Sequence, residues 1–114
     1  MAIGFHIEEG PLDATSHLVA VTGEIDLFTA GELKARLTAA IETGRSRIVV
    51  DLSEVTFIDS SSLGVLIGAH KQLMRSNGGL VIVCHDRTMM NTFKITGLDK
   101  VFEIVPSRVD ATSP

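Results

Sequence analysis

Two short, almost unbroken apolar runs constrain this chain more than any other feature: Arg47–Leu52, centred on Ile48-Val49-Val50, and Leu80–Cys84. Each has the length of a strand and no polar face, the pattern of a strand covered on both sides in a parallel sheet. Between them Leu63, Leu66, Ile67, His70, Leu73 and Met74 recur at helical spacing until Asn77-Gly78-Gly79. Strand, helix and strand in that order make one right-handed crossover unit.

The rest of the chain extends this unit in both directions. Ile3, Phe5 and Ile7 alternate with Gly4 and His6 as a strand does, and Glu9-Gly10-Pro11 starts a polar connection through Ser16. Leu18–Val21 is then the antiparallel partner. Gly23-Glu24-Ile25-Asp26 leads into a helix start. There Thr29 and Glu32 have capping-box spacing, and Phe28 and Leu33 the spacing of a hydrophobic staple. Leu33, Leu37, Ala40 and Ile41 share one helical face, and Gly44 stands where a left-handed C-terminal residue belongs. Asp86 is placed to cap a third helix containing Met90 and Phe93, with Gly97 and Leu98 as its Schellman ending. Val101–Val105 is a last strand, and Ser107–Pro114 reads as a frayed polar tail. The predicted order is β-β-α-β-α-β-α-β. That is an α/β domain with a mixed, mostly parallel sheet of about five strands, covering 3–106 and followed by the tail 107–114.

Composition removes several function classes. With 45% apolar residues in 114, one core is feasible without disulfides or a structural metal. Trp and Tyr are absent, net charge is −4 and no Lys/Arg cluster offsets it, so direct nucleic-acid binding is not expected. The apolar stretch Leu63–Ala69 falls far short of the ~20 residues of a membrane span, and MAIGFHIEEG lacks the form of a secretory signal. A soluble, cytoplasmic protein without membrane contact is expected. The single cysteine, Cys84, reads as a small buried hydrophobe, and His85 beside it points to the opposite face.

No phosphate-binding loop, dinucleotide glycine fingerprint or H-E-x-x-H is present, and His6, His17, His70 and His85 lack metal-ligand spacing. The hydrolase elbow G-x-S-x-G is missing too, since Ser60 stands two residues before Ser62. A hydrolase built on Ser62 and His70 is therefore a remote alternative. Neither enzyme activity nor a cofactor or metal is expected.

The unexplained stretch is Asp59-Ser60-Ser61-Ser62. A helix start leaves four N–H groups unpaired, and Asp59 or Ser60 alone suffices as the cap. The further hydroxyls are a surplus at the carboxyl end of a parallel strand, where open α/β sheets build their sites. The positive end of a helix dipole also accommodates a phosphate there. Glu24 and Asp26 approach from the neighbouring strand-to-helix turn.

With those residues in view the chain resembles a family. Ile58-Asp59-Ser60-Ser61-Ser62-Leu63-Gly64-Val65-Leu66, preceded by the strand Ile48–Leu52, is similar to the signature of STAS domains, and more narrowly of bacterial anti-sigma factor antagonists. Gly23-Glu24-Ile25-Asp26 and Thr96-Gly97-Leu98-Asp99-Lys100-Val101-Phe102 resemble two further motifs of that family, in the same order. By position the resemblance makes Asp59 the family's acid, Ser60 the first hydroxyl, Ser61 the phosphoacceptor and Asp26 the acid beside it. Ser62 stands where the family usually has glycine and is a competing acceptor.

The resemblance implies a partner-switching protein. In its unphosphorylated form it binds an anti-sigma factor that is also a serine kinase, and so frees a sigma factor for transcription. Phosphorylation by that kinase ends the complex, and a serine phosphatase resets it. ATP belongs to the kinase and the metal to the phosphatase. The implied binding surface is Glu24, Asp26, Thr29, Asp59, Ser60, Ser61, Ser62 and Leu63, and the free domain forms at most a weak homodimer. The alternative is a STAS scaffold subunit of a lipid-transport or signalling assembly, never phosphorylated.

Overall fold

Alternate residues of each central strand fall into two separate apolar clusters in the computed structural model, which describes residues 4–112. The elements run β1 (His6–Pro11), β2 (Ser16–Ile25), α1 (Ala30–Glu42), β3 (Arg47–Ile58), α2 (Ser60–Arg75), β4 (Gly79–Val83), α3 (Arg87–Thr96), a 3-10 turn at Leu98–Lys100, β5 (Glu103–Val105) and α4 (Arg108–Ala111). This is the expected ββαβαβαβ order with one helix added. The sheet order is β1-β2-β3-β4-β5, with β1 antiparallel to β2 and every other neighbouring pair parallel.

Each crossover steps one strand further in the same direction. A constant right hand then puts every crossover helix on the same face of the sheet. Ile48, Val50, Leu52, Leu80 and Ile82 accordingly pack with Leu33 and Leu37 of α1, Leu66 and Leu73 of α2 and Phe93 of α3. The intervening Val49, Val81 and Val83 point the other way and meet Ala111 of α4, with Leu12, Leu18 and Val105 alongside. The central strands are thus buried on both faces, by three long helices on one side and one short helix on the other. Full burial of each valine contributes roughly 1.5–3 kcal/mol.

The C-terminal segment is not a frayed tail over its described part. Ser107 caps α4 by accepting from the Asp110 N–H, Arg108 Nε lies 2.5 Å from Asp51 Oδ2, and Arg47 donates twice to the Ala111 carbonyl at 3.1 and 3.0 Å. The apolar patch on the open sheet face is what the segment covers. Ile3, Ser113 and Pro114, the outer residues of the expected first strand and tail, lie outside the described residues.

Other boundaries move for local reasons. Glu9, Gly10 and Pro11 stay in register with Val19, Leu18 and His17, so the hairpin turn comes later than expected. Proline is tolerated there because β1 is an edge strand. At the other end β3 runs on to Ile58, and after two register shifts Glu24 and Ile25 of β2 pair with Phe57 and Ile58. Gly23, at φ +98, lies where the incoming β1 chain passes: a Cβ there would sit 2.9 Å from the Gly4 carbonyl oxygen. The last strand is shorter than expected because Leu98–Lys100 forms the 3-10 turn, which seats Phe102 edge-on between Phe93 and His70. Gly44 and Gly97 end α1 and α3 at positive φ as expected.

The start of α1 departs from its expected form. Thr29 makes no side-chain capping bond, and Phe28 is 90% exposed while Leu33 is fully buried, so neither capping box nor staple forms. Asp26 organises the turn before the helix instead: its Oδ1 accepts the Phe28 and Thr29 N–H groups at 2.9 and 3.0 Å. That three-residue turn swings Phe28 outward.

Candidate functional site

The long strands β2 and β3 carry two helix starts to the same end of the sheet, and one carbonyl joins the end of β2 to the start of α2. The oxygen of Ile25, the last residue of β2, accepts from the Asp59 N–H at 3.3 Å and from the Ser62 hydroxyl at 2.7 Å. Asp59 is the N-cap of α2, and its Oδ1 accepts the Ser62 N–H at 3.1 Å and lies 3.0 Å from the Ser62 hydroxyl oxygen. A hydroxyl has one proton, so Ser62 shares it between two acceptors and spends it inside the fold. Ser62 is 0% exposed. Its side chain therefore does not crowd the outer surface, although glycine is usual at this place in the resembling family.

The other serines are placed differently. Ser60 is exposed and Ser61 half-buried, and the hydroxyl of neither has a hydrogen-bond partner among the described residues. Of the eight residues expected on a binding surface, Glu24, Asp26, Thr29, Asp59, Ser60 and Ser61 are at least partly exposed, whereas Ser62 and Leu63 turn inward. Leu63 packs into the main core.

Thr29 stabilises the turn rather than the helix. Its hydroxyl donates to the Glu24 carbonyl at 3.0 Å and accepts the Asp26 N–H at 2.9 Å. The Thr29 amide, with that of Phe28, holds the Asp26 carboxyl below its usual range. Asp26 is a fixed negative charge on the turn next to the α2 start.

The sequence reading missed two features here. Leu27 and Phe28 on the turn are 70% and 90% exposed, and Phe57, paired with Glu24, is 48% exposed. Large apolar side chains beside acids at one edge make an unusual surface for a lone domain. The sequence reading paired Phe28 with Leu33 as a hydrophobic staple, which hid its exposure. The second feature is a groove of about 310 Å³ between α1 and α2 that reaches Ser61 and Lys34. It comes from the packing of two helices distant in sequence and has no local signal.

Nothing around the remaining candidates assembles a catalytic or metal centre. Ser62 and His70 are two turns apart on α2, about 12 Å along the axis, and the His70 ring lies edge-on to Phe102 at 5.8 Å. Cys84 is buried, which pushes its thiol pKa up, and His85 is exposed. Among the described residues no group of three His, Cys, Asp or Glu could hold a metal ion, and no helix is long and apolar enough to cross a membrane.

Comparison with known proteins places this arrangement. Residues 11–111 match the STAS domain family model. The anti-sigma-B factor antagonist of Listeria monocytogenes is 36% identical over 104 residues, which is 91% of this chain and 90% of that protein. Its counterpart in Bacillus subtilis is 31% identical over 86 residues, 75% of this chain and 78% of that protein. The crystal structure of an anti-sigma factor antagonist from Mycobacterium paratuberculosis superposes with a TM-score of 0.86 at 29% identity, covering 95% of this chain and 91% of that one. The chain belongs to the STAS domain family, and these relatives are anti-sigma factor antagonists.

Proposed function

We propose that this protein is an anti-sigma factor antagonist: it binds an anti-sigma factor serine kinase, frees a sigma factor, and loses its partner when Ser61 is phosphorylated. The observation that carries the reading is the division of labour in the serine run. Asp59 caps α2 and Ser62 ties it to Ile25, which leaves Ser61 at the surface with an unused hydroxyl. Phosphorylating Ser62 instead would require pulling the first turn of α2 off β2. The docking surface is the Glu24–Thr29 turn with Asp59, Ser60 and Ser61, and Leu27 and Phe28 are its apolar anchors.

The energetics suit a switch. A phosphate adds about −1.5 to −2 charges. Near a helix start its dipole interaction is worth only about 0.3–1 kcal/mol, so the fold changes little. At an interface the same charge must be desolvated beside Asp26 and Asp59, and an uncompensated buried charge costs about 3–5 kcal/mol. A loss of about 3 kcal/mol weakens binding roughly a hundredfold. The chain supplies a hydroxyl and a surface, the kinase supplies ATP, and a serine phosphatase restores the hydroxyl.

Native lysate passed over immobilised wild type, Ser61→Ala and Ser61→Asp, with retained proteins identified by mass spectrometry, tests this reading. Wild type and Ser61→Ala should hold an ATP-binding anti-sigma kinase that Ser61→Asp does not. With ATP added, the phosphate should map to Ser61 and be absent from Ser61→Ala. Identical partners on all three baits, with no kinase among them, would replace this reading with the unphosphorylated scaffold.

A further inference from the structure

Gly64 and Gly68 are among the residues lining the α1–α2 groove, and a Cβ built on either meets nothing within 4 Å. Glycine inside a helix is destabilising relative to alanine, and no close backbone approach at these positions accounts for it. Without side chains there, the two residues leave one wall of the groove of about 310 Å³ open. Ser61 lies one turn before Gly64 at one end of the groove, and Lys34 of α1 stands on the opposite wall, with Thr38 and Gln72 completing the polar lining. Lys34 is the one charged residue lining the groove, and it has no ion-pair partner among the described residues. Other cations that cross between elements are engaged: Arg36 with Glu9, Arg47 with Glu103 and Arg108 with Asp51.

Taking Ser61 as the phosphoacceptor, we infer that Lys34 is the internal receptor of the phosphate. The phosphoryl group turns into the groove and pairs with the Lys34 ammonium, and the Thr38 hydroxyl donates to a second oxygen. The phosphorylated chain is then a self-paired state. In the free domain the repulsion that Asp26 and Asp59 exert on a new dianion is offset from within, whereas a partner docking over the α2 start would have to break that pairing and bury the charge uncompensated, so modification acts on the partner without loosening the domain.

The test is a double-mutant cycle on the full chain, with phosphoserine encoded at position 61 during translation. Thermal midpoints are measured for the phospho and hydroxyl forms of wild type, Lys34→Gln and Lys34→Arg. Each comparison is made within one background, so any effect of the Lys34 substitution on folding cancels. The phospho-minus-hydroxyl shift should be about 2–5 °C more favourable in wild type and Lys34→Arg than in Lys34→Gln at low salt. That difference should shrink in about 1 M salt. A scalar coupling between the Lys34 ¹⁵Nζ and the ³¹P nucleus would report the contact directly. Equal shifts in wild type and Lys34→Gln, with no such coupling, would overturn the assignment of Lys34. Because the phosphate is installed without a kinase, that result would count against Lys34 alone. A wild-type chain left unmodified at Ser61 by the kinase and ATP would count against the function itself.

Discussion

Removing the Ser62 hydroxyl takes away a 2.7 Å donor to the Ile25 carbonyl and leaves a small hole where α2 meets β2. Ser62→Ala should therefore lower unfolding stability in urea by about 1 kcal/mol, the worth of one buried hydrogen bond. Ser61→Ala removes a hydroxyl with no partner among the described residues and should stay within about 0.5 kcal/mol of wild type. At this scale the sequence was only partly legible. The sequence left the cap between Asp59 and Ser60, and three consecutive serines look alike until β2 places a carbonyl over one of them. Thr29 and Glu32 had capping-box spacing, but the Thr29 N–H that Glu32 would have taken goes to Asp26, three residues earlier.

At the scale of elements, the short helix α4 has an effect beyond its length, because its residues close the open face of the sheet. Burial alone would raise the Asp51 pKa, but hydrogen bonds from Ser53 and the pairing with Arg108 outweigh it and hold the carboxyl below its usual value. A folded-state pKa below the unfolded one means stability that is fully present above about pH 4 and is lost as pH falls through the folded value. Arg108→Met should cost about 1–2 kcal/mol, less than for a fully buried pair because Arg108 is half exposed. It should also move the acid-unfolding midpoint, followed by circular dichroism, to higher pH. This helix escaped sequence reading because four residues carry no periodicity, and its role depends on Arg47 and Asp51, far away in the chain. The crossover helices were legible because each repeats an apolar face over nearly three turns or more. The Leu27-Phe28 turn yields a separate prediction. Phe28→Ala should leave stability within about 0.5 kcal/mol of wild type and weaken binding to the anti-sigma kinase at least about tenfold, as loss of an exposed aromatic anchor does. Binding would be read by calorimetry, and unchanged affinity would remove the turn from the interface.

For the whole molecule, a rigid sheet carries a surface on which the proposed phosphorylation adds charge without changing the fold. Two strands set the geometry: β2 ends in the Asp26 turn, β3 leads into Asp59, and the Ile25 carbonyl ties the start of α2 to the end of β2. The layered architecture could be read from two apolar runs and the helices around them, since a right-handed crossover leaves few alternatives. That all three crossover helices share one face follows from the strand order, which local pattern does not encode. The α1–α2 groove is the same kind of information, a product of assembly. The most direct measurement is the affinity of the purified anti-sigma kinase for the full chain with serine, and then with encoded phosphoserine, at position 61, by calorimetry without ATP. The account predicts at least about a hundredfold weaker binding of the phospho form, with the two chains giving superimposable amide spectra away from the α2 start. Equal affinities would contradict it, and the serine run would then be no more than a helix start.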